Sequence, residues 1–439
     1  MVNQLVHYCL TDTHALGIMR STLSTTIPTR RAAFWALGVL TAINLLNYLD
    51  RYVVPPIFSD LKAAMQLSDV QLGLLIPAFL IVYSVAAPLF GSWGDRAARP
   101  RLIAIGVFLW SLATVLSGMA RSYPQLFAAR ALVGIGEAAY VAIAPALLAD
   151  FFGPASRGRV FAVLNMAIPV GSALGYIVGG QVSQHFDWRA VFFIAGTPGL
   201  LLSLLLLSVA DPPRGTQDRA EPAAAPAAPR SPLAVYVSLL RRPPYLLLVL
   251  GYAAYTFALG GLASWMPSFL ERAHAIPKAQ AATGFGEIVV VTGFVGTFLG
   301  GWLGDYCRRY SQQAYTWFSG VVTLLAVPCA VLALTASMPT VYYGAIVVAE
   351  LLLFMSTGPI NAAVVNLVSP FERASAMALC MLLIHLLGDV HSPWVIGWLS
   401  DHSSLPRAVL IVPAAIALAG FIWLIAARVN ETGRQSSAA

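Results

Sequence analysis

Charge is what this chain has least of. Only 10% of its 439 residues are Asp, Glu, Lys or Arg, whereas 58% are hydrophobic and the mean hydropathy is +0.75. Soluble domains carry roughly a quarter charged residues, so an ordinary water-soluble fold is excluded. Lysine is scarcer still, two residues against 24 arginines. The cysteines, Cys9, Cys307, Cys329 and Cys380, show no paired spacing, so neither a disulfide framework nor a zinc site is expected. The chain also lacks a His-Glu-x-x-His zinc pair, a Walker loop and a Ser/His/Asp grouping. These absences argue against a lipid-processing enzyme, against a nucleotide-driven pump and against any resident cofactor.

What the chain does have is apolar length. A hydrocarbon core of roughly 30 Å needs about 20 helical residues. Twelve windows qualify, near residues 32–58, 70–92, 102–120, 124–149, 158–184, 190–210, 245–270, 281–304, 314–336, 340–367, 373–400 and 407–428. The expected fold is all-α and integral to the membrane. Lys and Arg accumulate in cytoplasmic loops; with the N-terminus inside, eighteen basic residues fall on that side and six on the other. Both termini are therefore expected in the cytoplasm of a cell with this protein in its inner or plasma membrane. The net charge of +7 then reflects topology and gives no reason to expect nucleic-acid binding.

The sequence repeats itself. Gly91-Ser-Trp-Gly94-Asp95-Arg-Ala-Ala-Arg99 has a near copy in Gly301-Trp-Leu-Gly304-Asp305-Tyr-Cys-Arg-Arg309, each closing an apolar span. Likewise Pro154-Ala-Ser-Arg157 corresponds to Pro370-Phe-Glu-Arg373. Between the halves, residues 211–243 run through Asp-Pro-Pro and Ala/Pro repeats and read as a semi-extended linker. The expected organisation is a tail over 1–31, six-helix bundles over 32–210 and 244–428 and a second tail over 429–439. Two pseudo-symmetric bundles form a transporter layout with its site at the midplane, able to work as a monomer. A channel or receptor would not require two matching gates.

These loops resemble the signature of the major facilitator superfamily, and Arg130-Ala-Leu-Val-Gly134-Ile-Gly136-Glu137 resembles its second motif. Asn47-Tyr-Leu-Asp50-Arg51-Tyr52, Leu67-Ser-Asp-Val-Gln71-Leu-Gly73, Gly134-Ile-Gly-Glu137-Ala-Ala-Tyr140, Ile168-Pro-Val-Gly-Ser-Ala-Leu-Gly175-Tyr176 and His385-Leu-Leu-Gly-Asp389-Val-His-Ser-Pro393 are similar to the Spinster branch. The resemblance implies twelve helices and export of lysolipids or sphingosine 1-phosphate. Physically, the loop glycines Gly91, Gly94, Gly301 and Gly304 let helix ends approach. Asp95 is expected to accept from a facing helix N-terminus in the other half, and Arg99 to pair with Asp150. Asp305 and Arg309 are expected to latch against the N-terminal half, with Arg157 and Arg373 as neighbours. The plainer alternative is that these are solvated charges that only set orientation.

Ionisable residues within spans are costly and mark function or buried pairs. The N-terminal half holds Asp50, Arg51, Arg130 and Glu137. Counting inward at about 1.5 Å per residue places Asp50, Arg51 and Arg130 at similar depth, with Glu137 roughly 10 Å deeper. Arg130 is expected to pair with Asp50. Neighbours on a helix point about 100° apart, leaving Arg51 for Glu137 or for a ligand. Two readings stand: a static ion-pair network, or a proton-coupled cycle in which Asp50 and Glu137 take protons and Arg51 and Arg130 hold an anionic head group. Tyr52 and Tyr140 are candidate wall residues. The C-terminal half carries Glu287, Glu350, His385, Asp389 and His391, with no mid-span Arg, which suits apolar or cationic parts of a substrate; His385 and Asp389, four apart, are expected to bond. Gly171, Gly175 and Gly179 offer a close-packing stripe that also resembles the superfamily's antiporter motif. The expected cargo is an amphipathic anionic lipid with the proton as coupling ion; the alternative is a drug or small organic anion antiporter. Substrate and membrane lipids are the only partners expected, with no nucleotide and no metal.

Overall fold

A computed structural model describes residues 29–94, 96–215, 217, 232–368 and 372–438. Asp95, Pro370, the tail up to residue 28 and linker residues 216 and 218–231 lie outside the described residues. Within them, twelve helical segments are long and apolar enough to cross a membrane, the number read from hydropathy. An even number of crossings returns both ends of the chain to one side, here called the termini face; the opposite side is the far face.

The N-terminal half comprises α1 (Arg30–Tyr52), a 3-10 turn (Pro55–Ile57), α2 (Phe58–Met65), α3 (Asp69–Gly94), α4 (Arg99–Met119), α5 (Tyr123–Phe151), α6 (Pro154–His185) and α7 (Trp188–Leu206). The C-terminal half comprises α8 (Pro232–Leu240), α9 (Pro243–His274), α10 (Lys278–Arg308), α11 (Ala314–Thr335), α12 (Pro339–Asn366), α13 (Arg373–Ile384), a π turn (His385–Asp389), α14 (Ser392–His402), α15 (Leu405–Ala408) and α16 (Ile411–Ala438). Three features depart from uniform spans. The first span breaks after Tyr52, where Pro55 and Pro56 bring no N–H for a continuing ladder. The eleventh widens into a π turn. The linker is not extended throughout: α8 starts at a proline and buries Leu239, with Val235 and Tyr236 packed on the same core.

Each half buries its helices pairwise, α1 on α6 and α3 on α5 in one, α9 on α16 and α11 on α12 in the other. The halves meet along α6 with α10 and α3 with α14. Little attraction between apolar side chains distinguishes helix contacts from lipid contacts, so close backbone packing must hold the bundle. The glycine stripe of α6 provides it. A Cβ on Gly171, Gly175 or Gly179 would lie 2.5, 2.7 or 2.7 Å from the carbonyl oxygens of Leu45, Leu49 and Val53 on α1. The opposite face of α6 meets α10, where Gly180 lies against Ala282 and Gly286 against Ala173 and Tyr176.

Gly175→Ala should therefore cost about 1–3 kcal/mol, because backbone rather than a flexible side chain must yield. Gly38→Ala, with nothing within 4 Å of the added methyl, should stay within about 1 kcal/mol of the parent. Thermal melts in detergent compare the two, and equal melting temperatures would contradict the packing described.

Candidate functional site

The broken end of α1 organises the interior. A helix end leaves carbonyls without intrahelical partners. Here the Asp50 carbonyl accepts from Arg130 Nη2 at 3.4 Å, while Arg130 Nη1 donates to the Asp50 carboxylate at 3.2 and 3.3 Å. Both side chains are buried. Arg51, one residue on and turned to another side, donates through Nε to Glu137 Oε2 at 2.8 Å, with Nη2 at 2.6 Å from the same oxygen. Glu137 is fully buried, and its Oε1 has no hydrogen-bond partner among the described residues. Two consecutive residues of α1 thus engage two residues of α5 in opposite polarity.

The two pairs differ in access. Asp50 and Arg130 are sealed inside the N-terminal half. Arg51 is 16% exposed, and its guanidinium lies over the rings of Tyr48, Phe79 and Tyr83 at 5.1, 5.2 and 5.3 Å from their centroids, a favourable setting for a cation. It lines a cavity of 210 Å³ between the halves together with Tyr48, Tyr52, Phe79, His385 and Asp389. A second cavity of 230 Å³ adjoins it, sharing Tyr52 and Asp389 and adding Tyr176, Phe285, Val289, Glu350 and Phe354. The wall from the N-terminal half is cationic and aromatic; the facing wall carries two carboxylates.

On that facing wall His385 Nδ1 lies 2.9 Å from Asp389 Oδ2. Both belong to the π turn, whose wider pitch is a recurrent device at functional positions. Gly388 permits the turn to approach α9, since a Cβ there would lie 2.6 Å from the Ala253 carbonyl oxygen. Glu350 is buried on α12, lines the second cavity and has no ion-pair or hydrogen-bond partner among the described residues. Sequence reasoning noticed its burial but did not assign it to the site; its position on an otherwise apolar span was the available signal.

Two expected binding residues do not reach the cavities. Tyr140 sits one turn toward the termini face from Glu137, where α5 is closed against α1 and α4. Its hydroxyl donates to the Leu40 carbonyl at 2.9 Å, and its ring lies edge-on to Trp110. Arg130 is spent on Asp50 and lines neither cavity. Tyr52, His385 and Asp389 do line them.

At the termini face, the first loop copy is tied within its own half. Arg99 bonds Asp150 and also Asp211 at 2.8 Å, while the Gly215 amide donates to Asp150 at 2.8 Å and Arg214 to the Gly94 carbonyl at 2.6 Å. Asp211 and Arg214 were missed because the linker was read as spacer. Among the described residues the second copy does not latch across the halves: Asp305 accepts from the Tyr315 hydroxyl at 2.6 Å and Arg309 lies over Tyr306. Arg157 donates to the carbonyls of Ala149 and Phe152, also within its half, and Arg373 is exposed. Gly94 and Gly304 meet Ile143 and Pro359, whereas Gly91 and Gly301 have nothing within 4 Å of a Cβ.

The reason is that the halves are joined at the other end. Asp69 on α3 is 2.8 Å from Arg272 on α9 and accepts from Ser400 at 2.6 Å; Asp401 accepts from the amides of Asp69 and Val70 at 2.8 and 2.9 Å. Lys278 bonds Asp60 at 2.5 Å, and Ser59 donates to Glu271 at 2.8 Å. Among the described residues, the ion pairs between the halves are those of the far face. This state is closed there, and no ion pair among the described residues joins the halves at the termini face. From the sequence, Arg272 and Lys278 enter only the orientation count, and Asp60, Asp69, Glu271 and Asp401 receive no role.

The sequence pattern of the Major Facilitator Superfamily matches residues 40–388. The chain is 36% identical to protein spinster homolog 1 of Mus musculus over 381 residues, covering 83% of this chain and 72% of that one. It is 32% identical over 428 residues to a sphingosine-1-phosphate transporter of Xenopus tropicalis, covering 91% and 82%. Among solved structures, an inward-facing, unoccupied bacterial homolog of the human lysosomal transporter Spinster superposes with a TM-score of 0.84 at 25% identity, covering 91% of this chain and 98% of that one.

Two outcomes follow from the site. Arg130→Ala strands the Asp50 carboxylate in the interior and should lower stability by about 3–5 kcal/mol; Asp50→Asn combined with Arg130→Met, which removes both charges, should recover most of that loss in the same melting assay. Asp69→Asn removes the carboxylate on which the far-face contacts converge. Spin labels at positions 121 and 407, one in each half, should then gain a longer-distance population, and an unchanged distribution would deny Asp69 a closing role.

Proposed function

We propose that this chain, a transporter that belongs to the Major Facilitator Superfamily and to its Spinster branch, moves an amphipathic anionic lipid by alternating access coupled to protons. The observation that carries this reading is the Arg51–Glu137 pair, placed where the cavity meets the fully buried carboxylate. Arg51 presents a planar fork suited to a phosphate. An anionic head that takes the fork removes the bonds to Glu137 Oε2, and a bare carboxylate without its cation costs several kcal/mol in such surroundings. A proton on Glu137 relieves that cost, and its free Oε1 is the atom placed to receive it. Proton uptake and head-group binding are thereby linked through one guanidinium. Asp50, held by Arg130, keeps the end of α1 in place for the exchange.

The lipid tail is given the second cavity, with Phe285, Val289 and Phe354 on its wall. The relative from Xenopus tropicalis, a sphingosine-1-phosphate transporter by name, supports a head of this chemistry. Closure of the far face by the Asp69 and Lys278 contacts would alternate with closure of the termini face by the two Gly-x-x-Gly-Asp loops, that face being cytoplasmic by the distribution of arginine. One observation favours a second reading, exchange of a compact organic anion: the two cavities hold 210 and 230 Å³, below the roughly 300 Å³ at which pockets for drug-sized ligands begin.

Proteoliposomes with and without a proton gradient test both. Lysolipid movement should be accelerated by the gradient, and uptake of a hydrophilic anion alone would sink the lipid reading. Glu137→Gln should carry substrate without proton flux, and Arg51→Lys should lose about tenfold or more in transport, as expected when a bidentate contact becomes a point charge. Unchanged proton flux in Glu137→Gln would remove that residue from coupling.

A further inference from the structure

A third cavity, of about 570 Å³, lies at the termini face of the N-terminal half, between the starts of α1 and α6 and the end of α5. It shares no residue with the two central cavities. Arg30 and Arg159 line it, and neither meets a carboxylate among the described residues. Among the described residues the nearby acids are engaged elsewhere, Asp150 and Asp211 by Arg99 and Asp150 also by the Gly215 amide. The remaining wall is apolar: Leu37, Phe152, Phe34 at 53% exposure and Val163 at 44% exposure. Two cations that meet no carboxylate among the described residues, Arg30 lying over the Phe34 ring at 5.6 Å, beside exposed aromatic and aliphatic surface at the depth where a helix enters the membrane, describe an amphiphile with an anionic head.

We propose that this cleft binds an anionic phospholipid of the leaflet on the termini side, its phosphodiester held by Arg30 and Arg159 and its first acyl carbons against Phe34, Leu37 and Val163. Basic pockets between membrane helices recognise acidic head groups by this combination. The occupant is a resident of the bilayer, separate from the cargo of the central cavities, and it would fasten the entry of α1 to that of α6.

Native mass spectrometry of the full chain released from nanodiscs of equal parts phosphatidylcholine and phosphatidylglycerol tests this. The parent protein should retain phosphatidylglycerol over phosphatidylcholine by roughly 30-fold, the weight of two near-surface basic residues. Arg30→Gln with Arg159→Gln should reduce that preference to within about twofold, and Arg30→Lys with Arg159→Lys should preserve most of it; a melting curve confirms that each variant is folded. Equal retention by the Gln variant, no preference in the parent, or complete displacement of the lipid by inorganic phosphate would overturn the proposal.

Discussion

Charge neutralisation at one helix break governs this molecule. Ionised groups are expensive away from water unless each finds a partner, and α1 ends with an acid and a base in succession. Their side chains diverge, so a single partner cannot serve both. α5 answers with a base and an acid two turns apart, and the register between α1 and α5 is thereby set by Asp50 with Arg130 and Arg51 with Glu137. One pair is sealed in the interior; the other is open to the cavity on one edge. The same break that leaves carbonyls unpaired also delivers the cation that the cavity wall displays.

The two ends of the bundle are built differently around that centre. At the far face, Asp69 gathers Lys62, Arg272 and Ser400 onto one carboxylate, and Asp401 caps the start of α3 through two amides. At the termini face, among the described residues, Arg99 is met by Asp150 and Asp211 and Asp305 by Tyr315, each within its own half. A loop charge met within its own half adds no unpaired buried charge when the halves do not touch at that face.

Much of this was legible from residue order alone. Hydropathy yields the twelve spans because every backbone group in lipid must bond within its own helix, leaving length and apolarity as sufficient signals. Depth counting and the 100° rule point to the partners of Asp50 and Arg51, because rigid helices preserve both quantities. Other features depend on which loops of the two halves meet, and nothing in residue order encodes that. Arg272 therefore entered only the charge count, Asp69 and Asp401 were given no role, and the cross-half latch expected of Asp305 and Arg309 is not made in this state among the described residues. Tyr140 shares a motif with Glu137 yet faces Leu40, since one helical turn is enough to pass from the cavity edge into a sealed contact. The π turn at His385 to Asp389 changes the phase of a helix without any residue that forbids the ordinary one.

The glycine contacts of α6 have a mechanical meaning. Side chains between helices act as compliant padding, flexing through rotamer changes before a backbone shifts. α6 has little of it toward α1, where its glycines lie against carbonyl oxygens at Leu45, Leu49 and Val53, and little toward α10 at Gly180 and Gly286. A stiff rod clamped on both faces works as a lever: tilt imposed at the joint between the halves arrives at the end of α1 with little slack, and a tug on Arg51 returns along the same path. Arg51 and the joint are in gear through a helix that contributes no ionised side chain to either cavity.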